Sequence, residues 1–197
     1  NRSLFAPVTQ LASPGFTDSC VSSGTPMTVW NIYEEAENQR FVSPETLLKA
    51  ASAKLAKKKL LNTYHHILGD SYDFPDDLEK LGQVKGEDNH IAIVHIDGNG
   101  IGAVVKDLST LEETSSFSRF LADAVTLAFG SLLQDIITDL STSPRIADEY
   151  NLEIDPATNK VLLPLRPIIM GGDDITFVAS GKFGICFMER YMHHFNT

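Results

Sequence analysis

The chain has 197 residues, of which 43% are hydrophobic and 21% charged, and these globular proportions exclude a wholly disordered chain. Its formal net charge of −10 argues against strong direct binding of DNA or RNA, because basic residues that neutralise phosphates supply most non-specific affinity. No apolar run has the length of a bilayer span and the first residues lack a signal pattern, so we expect a cytoplasmic protein without a membrane partner.

Residues 1–88 are expected to form a small mixed region. The first forty residues are rich in Ser, Thr, Pro and Gly and lack a sustained period, which is typical of extended segments and turns. A helix is predicted from Pro44, because Ser43 suits the N-cap, Pro44 suits the first helical position, and apolar residues follow at helical spacing. A polar, turn-rich stretch comes next, and we place a domain boundary near Asp88.

Residues 89–197 are predicted to alternate strands and helices. The segment "HIAIVHIDGNGIG" is typical of a strand, a tight loop and the entry to another element. Ser115 or Ser116 is expected to cap a long amphipathic helix. The segments "VLLPLRPIIM" and "ITFVAS" are predicted to be two strands joined by a GGDD hairpin, whose glycines can adopt positive φ. A final helix carries Phe183, Phe187, Tyr191 and Phe195.

Carboxylates stand where two of the apolar strands end. Asp97 follows the run "HIAIVHI", and Asp173 and Asp174 follow "RPIIMGG". A sheet sets neighbouring strands only about 4.8 Å apart, so pairing of the first strand beside the hairpin would bring the three acids together. Like charges at such distances resist ionisation, which indicates that a cation shares the site.

Magnesium is the cation that this pattern favours. It takes oxygen ligands, usually one or two carboxylates together with substrate phosphates and waters. Two ions about 3.5–4 Å apart would activate a hydroxyl and stabilise the leaving oxygen of a phosphoryl transfer. We therefore predict two Mg²⁺ or Mn²⁺ ions at the three aspartates, with Gly171 and Gly172 allowing a nucleotide or backbone to approach closely.

The loop "DGNGIG" is predicted to contact phosphates. Gly98, Gly100 and Gly102 leave backbone N–H groups free to point at a triphosphate. The Gly-x-Gly-x-Gly spacing differs from the dinucleotide-binding fingerprint, and the sequence has no Gly-Lys-Ser/Thr of a P-loop. Either motif alone is more often a simple turn, but two such motifs, each directly following an apolar strand, favour a functional site.

At these residues the chain resembles a known family. The segments "HIDGNGIG" and "RPIIMGGDDITFVASGKFG" resemble the second, GGDD-bearing, polymerase-type palm domain in the large subunit of type III CRISPR effector complexes. The wider superfamily includes the GGDEF diguanylate cyclases and the class III nucleotide cyclases. The resemblance covers about Asn89 to Thr197, and it implies an α+β, ferredoxin-like palm with an antiparallel central sheet flanked by helices.

The resemblance also implies an activity and a set of site residues. A nucleotide 3′-hydroxyl would attack an α-phosphate and release pyrophosphate, forming a cyclic or linear oligonucleotide signal in antiviral defence, with ATP the favoured substrate. Effector-complex subunits or a second copy of the chain would be the partners. The implied catalytic residues are Asp97, Asp173 and Asp174, which with Gly98 form the metal set. The implied phosphate contacts are Gly98, Asn99, Gly100, Ile101 and Gly102. The residue pattern itself, apart from the resemblance, adds Gly171, Gly172 and Lys182 as nucleotide contacts.

Two departures from the family pattern keep alternatives open. Ile175 follows Asp174, so the acidic-Phe ending of diguanylate cyclases is absent. The chain also stops before the further strand and the basic residues that relatives use on the triphosphate, so we expect a palm truncated at its C-terminus. A catalytically silent palm that binds nucleotide or scaffolds a complex is the alternative, and an interaction domain with vestigial acids is the third.

Four basic or titratable side chains lie near the motifs. His95 shares strand parity with Asp97, and a hydrogen-bonded core histidine is favoured there over a proton shuttle. Arg166 is expected to form a surface ion pair. Lys182 and Arg190 are the cations near GGDD that could meet phosphates.

Overall fold

A computed structural model of the chain describes residues 17–33, 39–82, 90–142 and 148–196. In chain order the elements are β1 (Val29–Trp30), β2 (Phe41–Val42), α1 (Pro44–Leu68), β3 (Tyr72–Asp73), β4 (Ile91–Ile96), α2 (Ile101–Asp107), α3 (Leu111–Thr142), β5 (Val161–Leu162), β6 (Leu165–Gly171), β7 (Asp174–Ser180) and α4 (Gly184–Phe195). This composition confirms the α+β class.

Packing of the Cα atoms divides the chain into two compact units, Asn1–Thr63 and Tyr64–Thr197. The division falls inside α1, so the last turn of this helix packs with the second unit. The boundary predicted near Asp88 lies in residues 83–89, outside the described residues.

In the first unit, β1 and β2 form an antiparallel pair and α1 follows directly. The Ser43 hydroxyl accepts a hydrogen bond from the backbone N–H of Thr46 at 3.2 Å, and Pro44 is the first helical residue. Both features agree with the predicted start of this helix, since a hydroxyl at the N-cap satisfies one of the unpaired N–H groups of the first turn.

The second unit is built on a three-stranded antiparallel sheet with the order β4-β7-β6. The tight turn between β6 and β7 makes them the predicted hairpin, and Gly172 in that turn has a φ of 60°. The central strand is the most buried, and Ile175, Phe177 and Ala179 are fully inaccessible to solvent. Strand β4 pairs along the whole of β7, from Ile91 opposite Ser180 to Ile96 opposite Ile175.

An aromatic cluster fills the core between the sheet and α3. The ring of Phe129 lies 5.5 Å from that of Tyr64, 6.4 Å from that of Phe74 and 6.3 Å from that of Phe177. Such centroid separations suit edge-to-face and tilted aromatic packing. The cluster therefore joins the end of α1, the segment after β3, α3 and the central strand into one core.

Helix α4 packs closely on β4. A Cβ atom at Gly184 would overlap the Cβ of Ala92, so glycine allows the helix to lie directly on the strand. The opposite face of the sheet is open among the described residues: Ile93 is 70% exposed, and His95 and Ile169 are also exposed.

Helix α3 begins earlier than predicted. Its first residue is Leu111, and Ser115 and Ser116 lie inside the helix. The Thr110 hydroxyl accepts from the Glu113 backbone N–H at 3.1 Å, and the Glu113 carboxylate accepts from the backbone N–H groups of Ser109 and Thr110 at 2.8 and 3.0 Å. This reciprocal capping box satisfies the first-turn donors and fixes the start of the helix.

Two other expectations also need correction. The run "VLLPLRPIIM" is not one strand: β5 pairs in parallel with β3, whereas β6 pairs with β7, and Pro164, which has no N–H to donate, lies between them. Helix α3 is long and apolar enough to span a membrane by length and composition alone. Eight of its residues are nevertheless buried inside the chain, which is compatible with the core helix of a soluble protein.

The capping box predicts a stability difference between two exposed positions. Thr110→Ala removes the hydroxyl that accepts from Glu113, and we expect it to lower the free energy of unfolding by about 1 kcal/mol. Ser116→Ala, at an exposed site inside α3, is the matched control and should change stability by less than about 0.5 kcal/mol. Urea unfolding followed by circular dichroism measures both values. Equal losses would contradict a helix start at Leu111.

Candidate metal centre

The pairing of β4 with β7 brings Asp97 and Asp174 to the same end of the sheet. Ile96 pairs with Ile175, so the next residues along the two antiparallel strands are Asp97 and Asp174. Asp173 precedes Asp174 in the β6–β7 turn. One carboxylate oxygen from each aspartate lies within 4.8 Å of the other two. The convergence expected from the sequence is therefore present.

Gly98 allows Asp173 to reach this position. A Cβ atom at Gly98 would lie 2.7 Å from the Cβ of Asp173, 2.8 Å from its Oδ2 and 3.0 Å from Cγ1 of Ile101. Contacts this short cannot be accommodated without movement of the aspartate. The loop after β4 and the hairpin turn thus touch at a place where only glycine fits.

The electrostatics of the cluster show the effect of placing like charges together. The pKa of Asp174 is raised above its usual value, first because the Asp97 carboxyl acts as a hydrogen-bond partner of the protonated form, and further by desolvation and by the charges of Asp97 and Asp173. His95 acts in the opposite direction. In addition, Oδ1 of Asp174 is buried and has no hydrogen-bond partner among the described residues.

These features fit a divalent cation. Mg²⁺ binds oxygen at 2.0–2.1 Å, so oxygens on one ion lie at most about 4.2 Å apart, and the three oxygens of this cluster lie within 4.8 Å of one another. A cation would also compensate the negative charges and give the orphaned oxygen of Asp174 a partner. Asp97 is exposed and the other two aspartates are half-buried, so solvent and ligands can reach the cluster.

A cavity of about 300 Å³ opens beside the cluster. One side is formed by the end of β4 and the loop that follows it, together with Asp173. The other side is formed by the C-terminal end of α4. The lining residues are Ile96, Asp97, Gly98, Asn99, Ile101, Asp173, Tyr191, Met192, Phe195 and Asn196.

The remaining predicted glycines have open space beside them, unlike Gly98. Gly100 has a φ of 79°, which suits glycine, and precedes the first residue of α2. A Cβ at Gly102, Gly171 or Gly172 would meet no atom within 4 Å. Open space beside these positions is compatible with close approach of a ligand, and their predicted contacts with phosphate stay predictions.

Lys182 is not brought to the acidic cluster. It follows the far end of β7, and the seven residues of that strand span about 20 Å. Its ammonium group donates to the backbone carbonyl of Glu149 and lies 5.1 Å from the ring centroid of Phe183. Arg190 is likewise engaged elsewhere, in a 2.7 Å ion pair with Asp139.

Two side chains beside the motifs have clear partners. The interpretation of His95 as a core residue is wrong, because the side chain is exposed on the open face, where Nδ1 lies 2.8 Å from the Thr176 hydroxyl. Arg166 makes the expected surface contacts: it donates to the carbonyls of Pro75 and Asp76 at 2.9 Å, and the Asp76 carboxylate lies at 3.4 Å.

Sequence reasoning did not anticipate the α4 wall of the cavity. Tyr191 and Phe195 were predicted only as helix residues with an apolar spacing, and Met192 and Asn196 were not singled out. The sequence indicates the length of this helix but not its direction along the sheet. A twelve-residue helix is about 18 Å long, so a helix that starts beyond β7 and runs back along the sheet ends near the hairpin turn.

The close contact at Gly98 predicts a specific loss of metal binding. In Gly98→Ala the new methyl group displaces Asp173, and we expect Mg²⁺ affinity to fall at least about tenfold, as when groups that orient metal ligands are altered. Gly102→Ala adds the same methyl group where space is open and is the matched control. Isothermal titration calorimetry with Mg²⁺ compares them. Equal affinities for the two variants would show that the position of Asp173 is irrelevant to the metal.

The raised pKa of Asp174 predicts how stability depends on pH. The folded chain holds this proton more tightly than the unfolded chain does, so the metal-free protein loses stability as pH rises above the usual aspartate range of about 4. Asp97→Asn removes a repelling charge. We expect this variant to melt above the wild type at pH 7 in chelator, with the difference vanishing toward pH 4.

Added Mg²⁺ supplies the control for this pH experiment. It should raise the melting temperature of the wild type at pH 7, have little effect at pH 4, where protons compete for the carboxylates, and have less effect on Asp97→Asn. A wild type that melts at the same temperature as Asp97→Asn across the pH range would contradict the assigned repulsion.

Comparison with models of known protein families finds no match to this sequence, and comparison with curated proteins finds no similar one. What the chain can do therefore has to be inferred from its own residues: three converging carboxylates, a glycine loop that touches one of them, and an adjacent cavity.

Proposed function

We propose that residues 89–197 form a metal-dependent nucleotidyltransferase or nucleotide-cyclase-like palm that acts on nucleoside triphosphates. The observation that carries this proposal is the convergence of Asp97, Asp173 and Asp174 beside a ligand-sized cavity, with a buried oxygen of Asp174 that has no hydrogen-bond partner in the described part of the chain. A turn that only connects two strands gains no stability from three acids in contact. In a site that binds cations and phosphates, the acids serve as ligands of the cation.

The order of the elements supports a ferredoxin-like palm. Such a fold follows the order β-α-β-β-α-β. Here β4 is followed by α2 and α3, then by the short strand β5, the hairpin β6–β7 and α4, and β4 pairs with the second strand of the hairpin. Apart from β5, which pairs with β3 in a separate sheet, this order agrees with the first five elements expected of the fold, in which both acidic motifs come to the same end of the sheet.

Each side chain then has a distinct part in the proposed chemistry. Asp97 and Asp174, held opposite each other by strand pairing, and Asp173, held by the turn, would bind two Mg²⁺ or Mn²⁺ ions. When bound, such ions lower the pKa of an attacking hydroxyl and stabilise the charge on the reacting phosphate. The glycine loop from Gly98 to Gly102 would present backbone N–H groups to the triphosphate.

The proposed product is a cyclic or linear oligonucleotide signal, formed when a 3′-hydroxyl attacks an α-phosphate and pyrophosphate leaves. A role in antiviral defence, with effector-complex subunits or a second copy of the chain as partner, follows from the family resemblance. The same resemblance favours ATP.

A catalytically silent palm that binds nucleotide is the second candidate. The observation in its favour is that the described part of the cavity lining contains neither lysine nor arginine, and that Lys182 lies at the far end of β7. Turnover usually needs cationic groups on the transferred phosphate as well as metal. A binding module requires only that the metal–nucleotide complex is held.

The test is turnover of nucleoside triphosphates with and without the acids. The wild type with Mg²⁺ should release pyrophosphate from at least one of the four ribonucleoside triphosphates. The double variant Asp173→Ala, Asp174→Ala should lose roughly a thousandfold in rate, since metal ions supply several kcal/mol of transition-state stabilisation. Asp123→Ala, at an exposed acid on α3, is the control and should retain the activity.

Calorimetry separates the two candidates. Saturable, Mg²⁺-dependent binding of a nucleotide without release of pyrophosphate would support the silent palm. Neither binding nor turnover, or turnover that survives loss of both aspartates, would contradict the proposed function.

A further inference from the structure

The cavity beside the acids is lined by side chains of different chemistry. Asp97 and Asp173 repel anions unless a cation is bound. Apolar or aromatic side chains, among them Ile96, Ile101 and Phe195, form much of the remaining lining. Among the described residues that line it, none is a lysine or an arginine. This described lining offers no cationic side chain to compensate a phosphate, and it favours an uncharged, planar group.

We infer that this cavity receives the base of a nucleotide, while the phosphates remain outside with the cation at the three carboxylates. The inference rests on the proposed function and adds which part of the substrate the cavity holds and which side chains hold it. A volume of about 300 Å³ corresponds to on the order of ten water molecules, which is room for a heterocyclic ring system and part of its sugar.

Phe195 provides the stacking surface. Its ring is half-buried and stacks on that of Tyr191, with centroids 6.0 Å apart and planes inclined by 19°. Because Tyr191 is buried, it holds the Phe195 ring from one side. A base stacked on an aromatic side chain gains affinity regardless of its identity, since every base has a π-face.

Two carboxamides can contact the edge of the base. Asn99 lies on the loop side of the cavity and Asn196 on the α4 side. The Asn196 side-chain nitrogen donates to the carbonyl of Met192 at 2.8 Å, which leaves its second N–H and its oxygen able to meet a ligand. Hydrogen bonds rather than charges would then distinguish one base from another.

The experiment compares a variant whose cavity is blocked by a large side chain with a variant that carries the same side chain outside the cavity. Met192→Trp places a large ring at the cavity wall, whereas Ile185→Trp places the same ring two turns away on the same face of α4, at a residue that is 73% exposed. The probes are the four ribonucleoside triphosphates and inorganic tripolyphosphate, each titrated with Mg²⁺ into the full 197-residue chain. Tripolyphosphate carries the phosphates without a base.

We expect Met192→Trp to lower the affinity for the best-binding nucleotide at least about tenfold and to leave the affinity for tripolyphosphate unchanged. Ile185→Trp should change neither affinity. Phe195→Ala provides a second measurement that enlarges the cavity: loss of the stacking surface should weaken the nucleotide at least about fivefold, again without effect on tripolyphosphate. Circular dichroism of each variant verifies that the fold is retained.

Several outcomes would overturn the inference. If Met192→Trp and Phe195→Ala leave nucleotide affinity unchanged, or lower the affinity for tripolyphosphate as much as that for the nucleotide, the base lies elsewhere. The proposed function would not be contradicted by either result. If the wild type binds neither a nucleotide nor tripolyphosphate with Mg²⁺, both the proposed function and the inference fail.

Discussion

The antiparallel pairing of β4 with β7 is the constraint on which the rest of the site depends. It places the carboxylates of Asp97 and Asp174 opposite each other at the end of the sheet, although these groups repel. The register is fixed by burial, because a shift of one residue would move Ile175 and Phe177 out of the core and onto the open face. The hydrophobic core therefore maintains a charge arrangement that the acids alone would not adopt.

The raised pKa of Asp174 is the signature of this conflict. A protein without a use for the cluster could relieve the repulsion by a single substitution to asparagine. Like charges in contact, next to a glycine that admits one of them, are compatible with a site whose charge a bound cation would compensate. Under the proposed function, such a cation would stabilise the folded chain by removing the repulsion.

The structure could be predicted from the sequence where local residue signals and tertiary packing favour the same conformation. Asp97 directly after an apolar run and the Gly-Gly-Asp-Asp turn are both local signals, and strand pairing then brings them together. Ser43 and Pro44 fixed the start of α1 in the same way. The start of α3 was missed because its capping box at Thr110 and Glu113 lies before the strong apolar period, which was the signal used to place the helix.

Other features depended on the three-dimensional path of the chain. Strand parity placed His95 on the same face as Asp97, but parity does not say whether that face is covered. Lys182 is close to GGDD in sequence and far from it in space, because an intact strand separates them. The wall from α4 required the direction and length of a helix relative to the sheet, which residue patterns alone do not give.

Anomalous diffraction from crystals grown with Mn²⁺ tests the central claim most directly, because it locates the metal without assuming an activity. We expect Mn²⁺ within bonding distance of the carboxylate oxygens of Asp97, Asp173 and Asp174, and no such peak in crystals of Asp97→Asn. Manganese bound elsewhere on the chain, with these three carboxylates left without metal, would contradict it.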